Sequence, residues 1–329
     1  MAPKVVVTHW VHPEVLDTLA PHCTVVSNQS RETLPRAEVL RLAVDAEGLM
    51  VFMPDRIDAE FLAACPQLRV VGAALKGYDN LDAEACAAAG VTLAIVSDLL
   101  TAPTAELAVT LLLALIRKVR AGDALVHSGR FAGWRPVLYG SSLAGSRVGL
   151  VGMGAIGRAV ARRLAGFEAA QLCYADPRPL SPELEVALGL ERRELAELVA
   201  GCDHLVVSVP LSDATRHLFG TDLLSRIKPG AFLVNVGRGS VLDEAAVAAA
   251  LKSGCLAGFA ADVFAFEDWA LPGRPAAVPP ELLALSEQTL FTPHLGSAVD
   301  EVRRDIALAA AGSILAGLGD RPVPGAVSG

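Results

Sequence analysis

The segment VGLVGMGAIGRAVARRL constrains the fold of this chain more than any other. It sets Gly152, Gly154 and Gly157 in the spacing G-x-G-x-x-G, after the apolar run Arg147–Val151 and at the start of an amphipathic helical pattern, Ile156–Ala165. Glycines so spaced permit a tight strand-to-helix turn and let a pyrophosphate approach the backbone N–H groups at the helix N-terminus. An acidic residue, Asp176, stands 19 residues beyond Gly157, at the end of the next strand pattern, QLCYAD. That is the position of a carboxylate that binds both ribose hydroxyls of NAD and repels a 2′-phosphate. Arg178, two residues on, suits a 2′-phosphate, so NAD is expected, with NADP as the weaker alternative.

The rest of the chain repeats this alternation. Strand patterns fall at Lys4–Thr8, Gly48–Phe52, Arg69–Ala74, Thr92–Ile95, Gln171–Tyr174, His204–Val209, Ala231–Val236, Gly258–Asp262 and Leu290–Thr292. Helical patterns such as Arg36–Asp45, Asp82–Ala89, Asp222–Ile227 and Asp243–Ser253 separate them. Apolar strands without in/out alternation, divided by helices, belong to parallel sheets covered on both faces. The expected class is α/β, doubly wound. With 329 residues against roughly 150 for a typical domain, two domains are expected. Only the strands after residue 147 carry a phosphate loop. The boundaries therefore read as 1–101 plus 296–329 for a discontinuous substrate-binding domain, and 102–295 for a dinucleotide-binding domain. At the junction, the segment opening with Pro103 is apolar almost all round, and must be buried on several sides.

Composition narrows the partners. A net charge of −8 and a pI near 5.4 argue against nucleic acid or an acidic membrane surface. The longest apolar stretch, Leu107–Ile116, is too short to span a bilayer, and MAPKVVVTHW lacks the features of an export signal. The six cysteines are scattered with no C-x-x-C and read as buried, reduced thiols. A cytoplasmic protein acting on a small molecule is expected. No metal-ligand spacing is present.

Three later segments bring chemistry to strand ends. LVNVGRGSVLDEAAV sets Arg238 in a Gly-flanked turn, GFAADVFAFEDWA sets Asp262 and Glu267 after a strand, and LFTPHLGSA sets His294 after the last one. In an open parallel sheet ligands bind beyond the carboxyl ends of the strands, so these residues should converge on one crevice with the dinucleotide. A cation there suits an anionic substrate, and a His beside a carboxylate suits acid/base work.

On GMGAIG, NVGRGSVLDEAAV, the ADVF segment with Glu267 and TPHLGS, in that order, the chain resembles the D-2-hydroxyacid dehydrogenase family along its whole length. The resemblance implies two Rossmann-like, doubly wound parallel-sheet domains with the active site in the cleft between them. It implies Arg238 as the substrate-anion ligand, His294 as the acid/base, Glu267 as its partner and Asp262 as the holder of the nicotinamide carboxamide. It further implies a homodimer packed through the Pro103 helix. The cofactor positions it implies are Lys76, Thr104, Gly152, Gly154, Ala155, Ile156, Gly157, Asp176, Pro177, Val207, Ser208, Val209, Pro210, Val236, Gly237, Arg238, Asp262 and His294. Ala265 departs from the Glu many relatives carry there.

Within the family, RVVGAALKGYDNLD, MPDR, SGRFAGWRPVLYG, FEDWA and GSAVDEVR resemble the phosphonate (phosphite) dehydrogenase branch, where Lys76 replaces a small neutral residue. That resemblance implies Lys76, Gly77, Arg238 and His294 around the substrate, with Met53, Trp134, Tyr139, Trp269, Ser297 and Arg303 lining or supporting the pocket. Two fixed cations exceed what a monoanionic 2-hydroxy acid needs and suit the phosphite dianion. Oxidation of phosphite to phosphate is therefore expected, with hydride passing to NAD and water attacking phosphorus. The alternative is a reductase of 2-keto acids such as glyoxylate or hydroxypyruvate, which would use the same Arg, His and Glu. An NAD-sensing corepressor on this fold is disfavoured by the intact dyad.

Overall fold

A computed structural model describes residues 2–327. Met1, Ser328 and Gly329, included in the domain boundaries expected above, lie outside the described residues. The chain forms two compact units. One comprises the residues up to Leu100, Trp269–Pro272 and the residues from Ser297 onward; the other comprises Thr101–Asp268 and Gly273–Gly296.

The first unit holds a sheet of β1 (Lys4–Val7), β2 (Thr24–Ser27), β3 (Gly48–Val51), β4 (Val70–Ala73) and β5 (Thr92–Ile95), in the order β2-β1-β3-β4-β5. Every pairing is parallel. Residues of β3 and β4 are buried without exception, as the unbroken apolar patterns require. The long helix Asp300–Leu318 packs across β3, β4 and β5. Its approach is close: a Cβ on Gly72 would lie 2.7 Å from Ile314 Cγ1 and 2.8 Å from the Ala310 carbonyl oxygen. Glycine in mid-strand thus lets the helix touch the sheet.

The second unit holds seven parallel strands: β6 (Arg147–Val151), β7 (Gln171–Ala175), β8 (Leu190–Arg192), β9 (His204–Val207), β10 (Ala231–Asn235), β11 (Leu256–Ala261) and β12 (Thr289–Phe291). Their order is β12-β11-β10-β9-β6-β7-β8. The order reverses at β6, between β9 and β7, which makes the carboxyl end of β6 the switch point of the sheet. Helices Thr101–Ile116 and Ala155–Leu164 pack on each other, and the former also covers β10 and β11.

Along the Pro103 helix, Pro103, Ala105, Ala108, Leu111, Leu112, Leu115 and Ile116 are buried in the single chain. Exposed apolar surface lies further on. Helix Val119–His127 buries none of its residues, and Val119, Val126, Phe131, Trp134 and Tyr139 are all more than half exposed. No helix of the described residues is long and apolar enough to cross a membrane.

Candidate active site

The loop after β6 is built by its glycines. Gly152 has φ +92°, a conformation only glycine adopts without strain, and a Cβ there would meet Val209 Cγ1 at 2.8 Å. A Cβ on Gly157 would come within 2.1 Å of the Gly152 carbonyl oxygen, so helix and loop touch backbone to backbone. Gly154 is different: it is exposed, and a Cβ there would meet nothing within 4 Å. It is the N-cap of helix Ala155–Leu164 and supplies no side-chain cap. Open space over an uncapped helix N-terminus fits a pyrophosphate. Ser208, just past β9, donates from Oγ to the Gly152 carbonyl at 3.2 Å and fixes the loop to the neighbouring strand end.

Asp176 follows β7 and faces this loop. Its Oδ2 accepts the Met153 N–H at 2.7 Å, and its Oδ1 accepts the Arg178 N–H at 2.9 Å. The carboxylate is thereby held beside the glycine turn, where the second ribose of a dinucleotide belongs. Val207 is buried at the end of β9, Val209 is half-buried beside it, and Pro210 and Pro177 are exposed.

A second group forms beyond β10, β11 and β12. Buried Asn235, the last residue of β10, clamps the Arg238 turn: its Oδ1 accepts the Gly237 N–H at 3.0 Å, and its Nδ2 donates to the Arg238 carbonyl at 2.9 Å. Two buried carboxylates then tie this turn to the segment after β11. Asp268 Oδ2 accepts the Ser240 N–H at 2.6 Å, and Glu244 Oε1 accepts the Ala265 N–H at 2.8 Å. Gly239 permits the join, since a Cβ there would collide with the Phe264 and Ala265 backbone. Burial, together with the nearby Asp268, Glu267 and Asp243, pushes the Glu244 carboxyl above its ordinary value against the pull of the Ala265 N–H. Sequence reasoning passed over Asn235, Glu244 and Asp268. A polar residue ending an apolar strand, and acids flanking the Arg238 and Glu267 turns, were the available signals.

Glu267 sits in the short turn Ala265–Glu267. Its Oε1 accepts the Phe264 N–H at 3.0 Å, and its Oε2 lies 2.8 Å from His294 Nδ1. His294 has φ +56° and is fastened by its N–H to the Asp262 carbonyl at 2.9 Å. Asp262 is 2% exposed and is the hub of this turn. Its Oδ1 accepts from Thr292 Oγ1 and the Leu295 N–H, both at 2.6 Å, and its Oδ2 accepts the Gly296 N–H at 2.8 Å. Burial raises the Asp262 carboxyl above its ordinary value, opposed by these donors and by His294. Buried Thr104 lies alongside: a Cβ on Gly296 would be 3.2 Å from its Oγ1. The second unit thus gathers the dinucleotide loop, Asp176, Thr104, Arg238, Asp262, Glu267 and His294.

The first unit carries the others. Lys76 and Gly77 are half-buried in the turn after β4, and half-buried Met53 follows β3, its carbonyl accepting from Asn80 Nδ2 at 3.2 Å. Arg303 Nη1 reaches the Ala74 carbonyl and Ser297 Oγ. Trp269 is half-buried in the short segment that belongs to this unit. Trp134 and Tyr139 are 82% and 69% exposed on the second unit. Among the described residues no group of three or more His, Cys, Asp or Glu could hold a metal ion.

A parallel seven-stranded sheet with a pyrophosphate loop at its switch point, and a His–Glu pair beyond β11 and β12, defines an NAD(P)-linked oxidoreductase. Residues 109–296 match the D-isomer specific 2-hydroxyacid dehydrogenase, NAD binding domain, family. The glyoxylate reductase of Thermococcus gammatolerans is 35% identical over 321 residues, covering 96% of this chain and 93% of that protein. The glyoxylate reductase of Aeropyrum pernix is 34% identical over 319 residues, covering 95% and 92%. Among solved structures, the NADPH-dependent glyoxylate/hydroxypyruvate reductase of Sinorhizobium meliloti in complex with NADP and malonate superposes with TM-score 0.84 at 30% identity, covering 100% of this chain and 97% of that one. The TT0316 protein of Thermus thermophilus gives 0.88 at 34% identity, covering 99% and 100%. This chain belongs to the D-isomer-specific 2-hydroxyacid dehydrogenase family, and its coenzyme is NAD or NADP.

These relatives overturn the phosphite reading: matching over nearly the full length, they are named for glyoxylate reduction. The physical error lay in counting cations. A 2-keto acid presents a carboxylate and, during reduction, a developing alkoxide, so Lys76 with Arg238 does not require a dianionic substrate.

Proposed function

We propose that the protein is an NAD(P)H-dependent reductase of small 2-keto acids of the glyoxylate and hydroxypyruvate type. The observation that carries this reading is the His294–Glu267 pair at 2.8 Å, in the same unit as the Gly152–Gly157 loop. Gly154 and Asp176 would hold the pyrophosphate and ribose of the coenzyme, which when bound would supply the hydride. The residues of the chain do the rest. Glu267 fixes the Nδ1–H tautomer of His294 and stabilises its imidazolium, leaving Nε2 to give a proton to the carbonyl oxygen. Arg238 holds the substrate carboxylate with its forked guanidinium. Thr104 and Asp262 position the nicotinamide end. Carbonyl carbon gains hydride and carbonyl oxygen gains a proton, so the 2-hydroxy acid forms without further reagents. The exposed apolar residues Val119, Val126, Phe131, Trp134 and Tyr139 support a homodimer.

The test follows loss of reduced-nicotinamide absorbance with glyoxylate and with hydroxypyruvate, each with NADH and NADPH. Saturable turnover with either acid supports the proposal; no turnover with any of the four pairs overturns it.

A further inference from the structure

A cavity of about 320 Å³ opens in the first unit beside Trp10, His12, Arg31, Phe52, Asp300 and Arg303. Its location follows from strand order. In the sheet β2-β1-β3-β4-β5 the chain departs from β1 to one side and returns on the other, so a crevice forms beyond the carboxyl ends of β1 and β3. Trp10 stands just past β1 and Phe52 directly past β3.

Two cations face this space. The half-buried guanidinium of Arg303 makes only long hydrogen bonds, from Nη1 to the Ala74 carbonyl at 3.3 Å and Ser297 Oγ at 3.4 Å, and lies 5.7 Å from the centre of the Phe52 ring. Among the described residues no carboxylate is ion-paired with it, and burial pushes it below its ordinary value. A desolvated charge with no counter-ion is costly, and an anion in the cavity relieves that cost. Arg31 supplies the second guanidinium, held 3.7 Å over the Trp10 ring. The one acid at the rim, Asp300, has an 86% exposed side chain and pairs with His12 Nε2 at 3.3 Å.

We propose that this cavity is a binding site for a small organic anion bearing a carboxylate or phosphate, gripped by Arg303 and Arg31 between Trp10 and Phe52. Two sources share that chemistry: a separate anion, or the far acidic group of a longer 2-keto acid.

The experiment is a calorimetric titration of the full chain with citrate and with inorganic phosphate. Saturable binding is expected, weakened about tenfold in Arg31→Ala and more in Arg303→Gln. Arg31 is exposed, so its variant keeps the measurement clear of misfolding. Turnover of glyoxylate, which has no far group, stays unchanged in Arg31→Ala. A fall in kcat/KM for oxaloacetate in that variant assigns the cavity to the substrate's own second carboxylate. An unchanged value with citrate binding lost assigns it to a separate anion. Absence of saturable binding, or binding indifferent to both substitutions, overturns the proposal. The titration requires no turnover, so it stands or falls apart from the reductase reading.

Discussion

The Nδ1 atom of His294 lies 2.8 Å from Oε2 of Glu267, whose other oxygen accepts the Phe264 N–H at 3.0 Å. The carboxylate is thus anchored at one end while it orients the imidazole at the other. His294→Asn should lower kcat by about 10²–10⁴, the range for loss of a general acid, with the KM for coenzyme unchanged. Glu267→Gln should lower kcat less and leave substrate KM nearly constant. Steady-state kinetics on both variants checks this; a near-normal His294→Asn enzyme removes the residue from the reaction.

Asp176 steadies the glycine loop, its Oδ2 accepting the Met153 N–H at 2.7 Å, and the proposed function gives it the coenzyme ribose as well. Asp176→Ser should reduce kcat/KM with NADH by about tenfold, ~1.4 kcal/mol, while raising NADPH relative to NADH. Rates with the two coenzymes measured side by side decide it. An unchanged ratio would place the ribose elsewhere.

The loop glycines should separate binding from folding. Gly154→Ala adds a methyl into open space and should leave Tm unaltered while raising coenzyme KM about tenfold. Gly157→Ala drives a Cβ against the Gly152 carbonyl and should cost about 1–3 kcal/mol, a fall in Tm of roughly 2–10 °C. Calorimetry with coenzyme titration reads both; equal thermal losses would contradict the assignment.

Glu244 makes stability depend on pH. Its folded-state value is raised above 4.5, principally by burial, and Oε2 has no hydrogen-bond partner. The native protein therefore holds this proton more tightly than the unfolded chain. Its contribution is whole below 4.5 and is lost as pH rises through the raised folded-state value. Glu244→Gln keeps an acceptor for the Ala265 N–H and cannot ionise. Its Tm should exceed that of the unsubstituted protein by about 3 °C near pH 8, ~1 kcal/mol, with the gap closing on acidification. Thermal melts across pH test the slope.

The exposed apolar stretch tests the oligomer. Light scattering should give twice the 34.2 kDa of one chain, and Val126→Glu with Phe131→Asp should halve the measured mass. A monomeric unsubstituted protein would end the homodimer proposal.

Legibility in the sequence followed burial. Central strands such as β4 and β9 are buried throughout and were read nearly to the residue. The edge strands β2, TVVS with no buried residue, and β8, LER with one, went unread because their outer sides meet solvent and no apolar run marks them. Arg238 and Glu267 could be placed because each follows a nearly buried strand, and His294 because it follows the short apolar run of the half-buried edge strand β12. Asn235, Glu244 and Asp268 were not, since two of their partners are backbone N–H groups more than 20 positions away and the third lies in a tight turn. Lys76 was legible as a cation at a strand end. Its substrate was not, because a charge count carries no information on where the substrate's oxygens lie.

The close seat of helix Asp300–Leu318 on Gly72 has a consequence for synthesis on the ribosome. The five strands of the first unit precede the second unit, yet the helix that covers β3, β4 and β5 is translated after it. Its sheet must wait, one apolar face bare, while the whole second unit emerges and folds. A nascent chain stalled before residue 300 would carry a finished nucleotide-binding half and an unfinished partner, the kind of client that a holding chaperone takes up.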